Sequence, residues 1–452
     1  MRKVILISIF LIFLILIGGF SYLSFKQKRD FSGTLKLKVY PPFAKVKIDN
    51  KDYPLLNGNL KTKLKKGEHY LHVFSTGYLN DEEKIIIEPN KITSIEDIYL
   101  LPLNWPKKIL VENQNIKALY LSSDKNRLLY LLKKKEKNSK ENYQWFIFDR
   151  NSKANELVYE SDYLPKNISF VSKKILFQTK NNNWQIILPP TSLLRDLNIV
   201  TQSLNSLFEK QLKENQEFSN KKIESKIIKA VFLKNDENKV IIQTPQNLFF
   251  YDLLEDNLLN IYEGKTSDFI LDKDNLYFLS ENGLLNKVSL KSPLETKTLS
   301  LFSFENKNLE KVKISKKENF EEFIILNSDG RLYYLISKEN AIPQIILDNA
   351  DEGSFINEKL IAIKENGKEN EWLVYNLKDS TKTVINSQIP PLNFFKEDYF
   401  LVLKDNKLKI ENLKNNNFVV IEENVLKEGI FFDKVLKTIF FIYKGGIVEV
   451  SY

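Results

Sequence analysis

The chain has 452 residues, 43% of them hydrophobic, and a formal charge of +9 from 67 Lys and Arg against 58 Asp and Glu. That apolar share is enough for packed cores and argues against general disorder, and the length predicts about two to four domains. With no Cys, disulfides, a thiol nucleophile, a thiolate metal site and a lipidated-cysteine anchor are excluded, and two His are too few for a multi-histidine metal centre.

The excess positive charge is modest and the lysines are spread along the whole chain. It reads as a solvated surface, with weak attraction to an anionic cell-wall polymer or to lipid headgroups as the functional alternative. No basic stripe or binding motif points to nucleic acid. The 31 Phe and 20 Tyr, together with Ile, Val and Leu, favour strands. Gly and Pro are scarce, so turns must lean on Asn and Asp.

The first element is an uncharged run from Val4 to Phe25, set with Val4, Ile5, Leu6, Ile9, Phe10, Leu14, Ile17, Phe20, Leu23 and Phe25. A helix of that length matches a hydrocarbon core of about 30 Å. The expectation for residues 1–30 is an uncleaved, single-pass transmembrane anchor. A cleaved signal peptide is the rival, with Gly18, Gly19, Ser21 and Ser24 as its small residues. Arg2 and Lys3 on one side and Lys26, Lys28 and Arg29 on the other leave orientation undecided by flanking charge.

Residues 31–104 read as a compact β-sandwich. Leu35, Leu37 and Val39 alternate with polar residues, as a half-buried strand does. Pro41-Pro42 stops that strand, and Val46 and Ile48 begin another that turns at Asp49-Asn50. Further strands are expected at Leu60–Leu64, Tyr70–Phe74, Lys84–Glu88 and Ile95–Leu101. Gly67 and Gly77 suit positive φ. Tyr78 reads as a ring packed at the sandwich edge. His69 and His72 lie three apart in a strand and so point to opposite faces, which argues against a metal site.

This stretch resembles the PEGA domain. The name motif Pro-Glu-Gly-Ala appears as Pro41-Pro42-Phe43-Ala44, departing at its two central residues. The remainder holds as Val46-x-Ile48-Asp49, Leu64-x-x-Gly67-x-His69-x-Leu71-x-Val73 and Gly77-Tyr78, with Asn50 where Gly is usual. The resemblance covers about one sixth of the chain. It implies a small β-sandwich and an extracytoplasmic address in a bacterial cell envelope, and it brings no catalytic residues. The expectation is therefore a cell-membrane protein with the bulk of the chain outside.

From Trp105 to Tyr452 the texture repeats. Polar turns at Asp124, Lys173, Asp236, Lys273, Lys316, Glu358, Glu397 and Asp433 recur every roughly 40 residues apart from one long gap, the size of a four-stranded propeller blade. Each is followed by a strongly apolar strand, a second turn and a third strand. Eight blades are counted, with seven possible if one weak unit is miscounted. The last unit has only three strands and Lys107–Glu112 is an orphan, so a closed ring is expected in which the orphan completes the final blade. The long gap holds residues 191–219, where Leu193, Leu197, Val200, Leu204, Leu207, Phe208 and Leu212 recur at helical spacing. An amphipathic helix packed on one propeller face is expected, with a partner-binding or lid role as the alternative. The fold class is thus all-β, with an N-terminal helix, a sandwich and a divergent β-propeller carrying one helical insertion.

No nucleophile elbow, P-loop, zinc-peptidase or calcium-loop motif occurs. Both His lie in the sandwich, so a Ser-His-Asp arrangement on the propeller is excluded. Asp124, Asp236, Asp272 and Asp433 are the carboxylates available for paired acid chemistry, but each sits where a turn needs Asp. Trp105, Trp145, Trp184 and Trp372 suit sugar stacking or blade packing, and the matching third-strand positions of the last three favour packing. The expectation is a non-enzymatic, cofactor-free surface protein that presents its propeller face to protein or envelope polysaccharide. A propeller-based glycan hydrolase or lyase, and a cytoplasm-facing sensor-like envelope protein, are the alternatives.

Overall fold

The computed structural model describes residues 31–95, 97–135, 141–188, 200–219, 221, 223–234, 236–300, 302–304, 308–337, 341–394, 398–413, 417–433 and 437–451. The apolar run Val4–Phe25 lies outside them. Among the described residues no helix is long and apolar enough to cross a membrane. The described chain falls into two compact units parted between Asn104 and Trp105.

The first unit contains β1 (Ser32–Tyr40), β2 (Lys45–Ile48), β3 (Lys51–Tyr53), β4 (Asn59–Lys65), β5 (Gly67–Phe74), β6 (Asp81–Ile87), β7 (Ile92–Ser94) and β8 (Ile98–Tyr99). One sheet has the order β4-β1-β7, with β8 also on β1; the other has β3-β2-β5-β6. Period-two alternation aims Leu35, Leu37, Val39, Leu60 and Leu64 from the first sheet at Val46, Ile48, Leu71, Val73, Ile85 and Ile87 from the second. Asp49 (φ 49°) and Asn50 (φ 65°) make the two-residue turn between β2 and β3, a conformation these short polar residues tolerate. Of the strand expected at Ile95–Leu101 only β8 forms, and β7 precedes that range as a strand the alternation did not mark. Both pair parallel to β1, with the register of β8 shifted by one residue from that of β7.

The second unit is a ring of eight four-stranded antiparallel sheets, so the count is eight and not seven. Strand β9 (Lys107–Glu112) precedes blade 1, which comprises β10 (Ile116–Leu121), β11 (Arg127–Lys135), β12 (Glu141–Asp149) and β13 (Asn155–Ser161). Blades 2 to 7 begin at Ile168, Lys229, Thr266, Lys313, Ala350 and Leu392. Blade 8 has three strands of its own, Phe431–Asp433, Thr438–Tyr443 and Gly446–Ser451, and β9 supplies the fourth.

The second strand of each blade is apolar without alternation: Leu128–Leu131, Ile175–Phe177, Val240–Ile242, Leu276–Leu279, Phe323–Leu326, Leu360–Ile363, Phe400–Leu403 and Ile439–Ile442 are all buried. Both faces of such a strand meet a neighbouring blade, so neither face can be polar. Buried clusters join blades 1 and 2, 2 and 3, 3 and 4, 4 and 5, 5 and 6, and 6 and 7 in turn. Phe394 meets Phe432 between blades 7 and 8 at 5.1 Å between ring centres. Ile116, Leu119, Leu128 and Tyr130 of blade 1 pack on Phe440, Ile442 and Ile447 of blade 8, and the ring is closed.

The helix expected over 191–219 is shorter. Residues 191–199 lie outside the described chain, and Val200–Ser203 is the outer strand of blade 2, paired with Trp184–Leu188. That sheet edge supplies hydrogen-bond partners that override the helical spacing of Val200. Helix α1 (Leu204–Glu214) begins only after Ser203, whose side chain accepts a hydrogen bond from the Ser206 amide. Leu204 and Phe208 are buried in the core between blades 2 and 3, with Phe208 edge-on to Phe249. Helix α1 thus packs into the core shared by blades 2 and 3.

Closure rests on a glycine. Gly446 has φ 141°, and a Cβ there would lie 1.9 Å from the Val111 carbonyl oxygen of β9. Gly446→Ala is expected to destabilise the ring by about 2–4 kcal/mol, against about 1 kcal/mol for Gly367→Ala, which has positive φ but open space. Urea denaturation of both variants measures the difference, and equal losses would show that the close approach to β9 does not limit closure.

Candidate functional site

The residues singled out in the sandwich build the unit itself. Ala44, Val46 and Ile48 are buried in its core, and Tyr78 packs against that core with its ring edge-on to Phe43. Pro41 and Pro42 form the bend that ends β1. Gly67 (φ 136°) and Gly77 (φ 83°) hold positive φ with nothing within 4 Å of a would-be Cβ, so backbone conformation alone requires them.

The two histidines sit on opposite faces of β5. His72 has Glu82 at 3.7 Å, while His69 Nδ1 lies 2.5 Å from Asp49 Oδ2 and its Nε2 lies 2.8 Å from the Lys65 carbonyl. Asp49 also accepts the Tyr70 amide at 2.9 Å. Both nitrogens of His69 face acceptors, which the imidazolium form satisfies. Burial opposes that charge, but the Lys65 carbonyl and the Asp49 carboxylate outweigh it and raise the His69 pKa. The Tyr70 amide first, and His69 second, lower that of Asp49. Among the described residues no group of three or more His, Asp and Glu is arranged to hold a metal ion.

All four tryptophans are buried, which removes them as a sugar-stacking platform. Trp145 donates to Ser161 Oγ at 2.9 Å and packs edge-on against Phe177 of blade 2. Trp105 packs edge-on against Phe394.

Each of the four turn aspartates makes a structural contact of its own. Asp124 and Asp236 accept amides two residues on, from Asn126 and Asn238, as turn formers do. Asp272 and Asp433 do more than turn the chain. Lys316 Nζ of blade 5, whose side chain is 4% exposed, pairs with Asp272 of blade 4 at 2.6 Å. Lys125 of blade 1 pairs with the fully buried Asp433 of blade 8 at 2.8 Å. These carboxylates join neighbouring blades.

A cleft of about 420 Å³ lies at the seam between blades 8 and 1, lined by Lys108 and Ile109 of β9, Phe148 of β12, Arg150 and Lys153 from the turn after β12, and Glu449. Arg150 is held from three sides. Its Nη1 donates to the Lys125 carbonyl at 2.8 Å, its Nη2 is 3.4 Å from Glu449, and its guanidinium lies 4.6 Å from the Phe440 ring centre. Lys108 reaches the same carboxylate at 3.5 Å with its side chain largely exposed. The cleft is thus lined by three cations, Lys108, Arg150 and Lys153, and one carboxylate, Glu449, which favours an anionic or strongly polar ligand group over a cationic one. Sequence reasoning missed this cleft because Arg150 and Glu449 are 299 residues apart and no local motif marks either.

No family model and no curated protein matches the sequence. Solved structures similar to it include the Dos1 propeller, at 11% identity and a TM-score of 0.46 over 77% of this chain and 94% of that one. Oligogalacturonate lyase in complex with manganese matches at 10% identity and a TM-score of 0.39 over 77% and 93%. BamB from Moraxella catarrhalis matches at 11% identity and a TM-score of 0.34 over 67% and 80%. At these identities the likeness concerns fold alone.

The His69–Asp49 pair predicts a pH signature. A raised histidine pKa stabilises the fold below the unfolded value near 6.5, and that contribution is lost as pH rises through the folded value. A lowered aspartate pKa stabilises above 3.8 and is lost as pH falls through the folded value. The pair therefore contributes most between about pH 4 and 6.5. The urea midpoint of the sandwich transition is expected to fall from pH 6 to pH 8, and His69→Gln to flatten that slope. A slope unchanged in the variant would assign it to other groups.

Proposed function

We propose that this chain is a membrane-anchored, extracytoplasmic binding protein of a bacterial cell envelope, acting without catalysis or cofactor. In this reading the run Val4–Phe25 is the anchor, the PEGA-like sandwich is a spacer, and the ring presents its surface to protein or envelope polysaccharide. One observation carries the binding role. The seam cleft is open and lined by Lys108, Arg150 and Lys153 with Glu449 as its one carboxylate, which leaves the concavity net cationic although Lys108 and Arg150 both contact Glu449. Length and lack of charge support the anchor. The sandwich built by Ala44, Val46 and Ile48, with Gly67 and Gly77 at positive φ, supports the PEGA-like assignment and the address it implies.

Soluble protein spanning residues 31–452 is expected to be retained by a cell-envelope fraction, and Lys108→Glu with Lys153→Glu to weaken retention about fivefold at low salt. No retention of the unaltered protein would sink the binding role, and equal retention would move it away from the cleft. On intact cells, added protease is expected to degrade the ring. A fully protected ring would place it on the cytoplasmic side instead.

A further inference from the structure

We propose that the sandwich is a load-bearing coupler, whose first and last strands form a parallel ladder that tension between the two ends of the unit must shear rather than unzip. The register carries the argument. Strands β7 and β8 lie along one edge of β1 in the same direction, with Thr34 opposite Ile92, Lys36 opposite Ser94, Val39 opposite Ile98 and Tyr40 opposite Tyr99. Main-chain bonds extend the ladder at both ends: the Asn90 amide donates to the Ser32 carbonyl at 2.9 Å, and the Leu100 amide to the Tyr40 carbonyl at 2.9 Å. Between them, the Thr34 amide donates to the Lys91 carbonyl and the Ile95 amide to the Lys36 carbonyl.

The chain enters this unit beside Ser32 and leaves it past Leu100, beside Tyr40. Entry and exit are separated by the length of β1, about 30 Å at roughly 3.4 Å per residue. The exit segment is then fastened down. Leu79 donates to the Leu101 carbonyl, Leu103 donates to the Gly77 carbonyl, and Tyr78 bridges Pro102. Pulling the ends apart drives β1 one way and β8 the other, along the ladder. Every hydrogen bond across it is loaded together, so no single bond can yield first.

Side chains raise the resistance. Leu35, Leu37 and Val39 on β1, with Ile98 and Leu100 on the departing segment, share one core and would have to slide through it. Tyr40 and Tyr99 stack at 4.6 Å across the last rung, with ring planes 5° apart. The ring has the opposite design. There β9 and Gly446–Ser451 run antiparallel, with Lys107 opposite Val450, so both ends of the closing ladder emerge on one side and tension peels it bond by bond. This inference is independent of what the ring binds and of the role of the apolar run.

The chain has no native Cys, so pulling handles can be placed at will in the full-length protein. Phe31→Cys with Leu103→Cys loads the ladder in shear from two exposed positions. Phe31→Cys with Lys91→Cys grips both strands at their entry end and unzips them. Far-UV circular dichroism checks that both variants are folded, and Asn104→Cys replaces Leu103→Cys if it disturbs the exit segment. A contour release of about 230 Å, at roughly 3.6 Å per residue over residues 31–103 less the folded separation of about 30 Å, identifies rupture of the sandwich in the first geometry. The rupture force there is expected to be at least about twofold that of the second geometry at equal loading rate. Equal forces, or a lower force in the first geometry, would overturn the proposal.

Discussion

The ring depends on one ladder. Strand β9, made of residues that precede blade 1, completes the sheet whose other strands come from the far end of the chain. Without that pairing, Gly446–Ser451 would present an open sheet edge, a template for association with other chains. Closure also brings Phe440, Ile442 and Ile447 onto blade 1, so the apolar seam and the hydrogen-bonded ladder form together. The approach is close enough that a side chain at residue 446 would meet the Val111 carbonyl, which makes a glycine at this point a requirement of closure.

Once the ring is closed, its charged groups take on structural duties. The buried carboxylate of Asp433 and the buried ammonium of Lys316 each have a partner on the adjacent blade, which desolvated charges need. Arg150 ties a turn of blade 1 to Glu449 and the Phe440 ring of blade 8. The seam cleft is a by-product of this joint. Because β9 comes from a distant part of the chain, its Lys108 joins Arg150 at Glu449, with Lys153 lining the same cleft, and charge accumulates there that no one blade carries.

The sandwich solves a different problem with the same hydrogen bonds. Its first and last strands are parallel neighbours, so its two ends lie at opposite extremes of β1. A parallel pair cannot be joined by a hairpin, and the intervening strands are the crossover that makes it possible. The consequence is a unit whose ends are held apart by its own core. That geometry suits a spacer whatever stands on either side of it.

Much of this was legible in the order of residues, because strand alternation and turn recurrence are local. The Leu35-Leu37-Val39 alternation, the apolar second strand of every blade, and the orphan strand Lys107–Glu112 beside a three-stranded last unit each depend only on neighbours in sequence. Where local signals competed, packing decided. Val200 fits a helical period equally well, yet Trp184–Leu188 offered it a sheet edge and the helix began at Leu204. The sequence alone determined that the chain is β-rich, repeats in units of blade size and lacks thiol or multi-histidine chemistry, since composition and period are properties of the chain itself. Only the tertiary structure decided that there are eight blades, that the tryptophans are packed inside, that Asp272 and Asp433 join neighbouring blades, and that Lys108, Arg150 and Glu449 share one cleft. Those outcomes depend on which distant strands meet, and hydrogen-bond pairing and burial, not local pattern, select them.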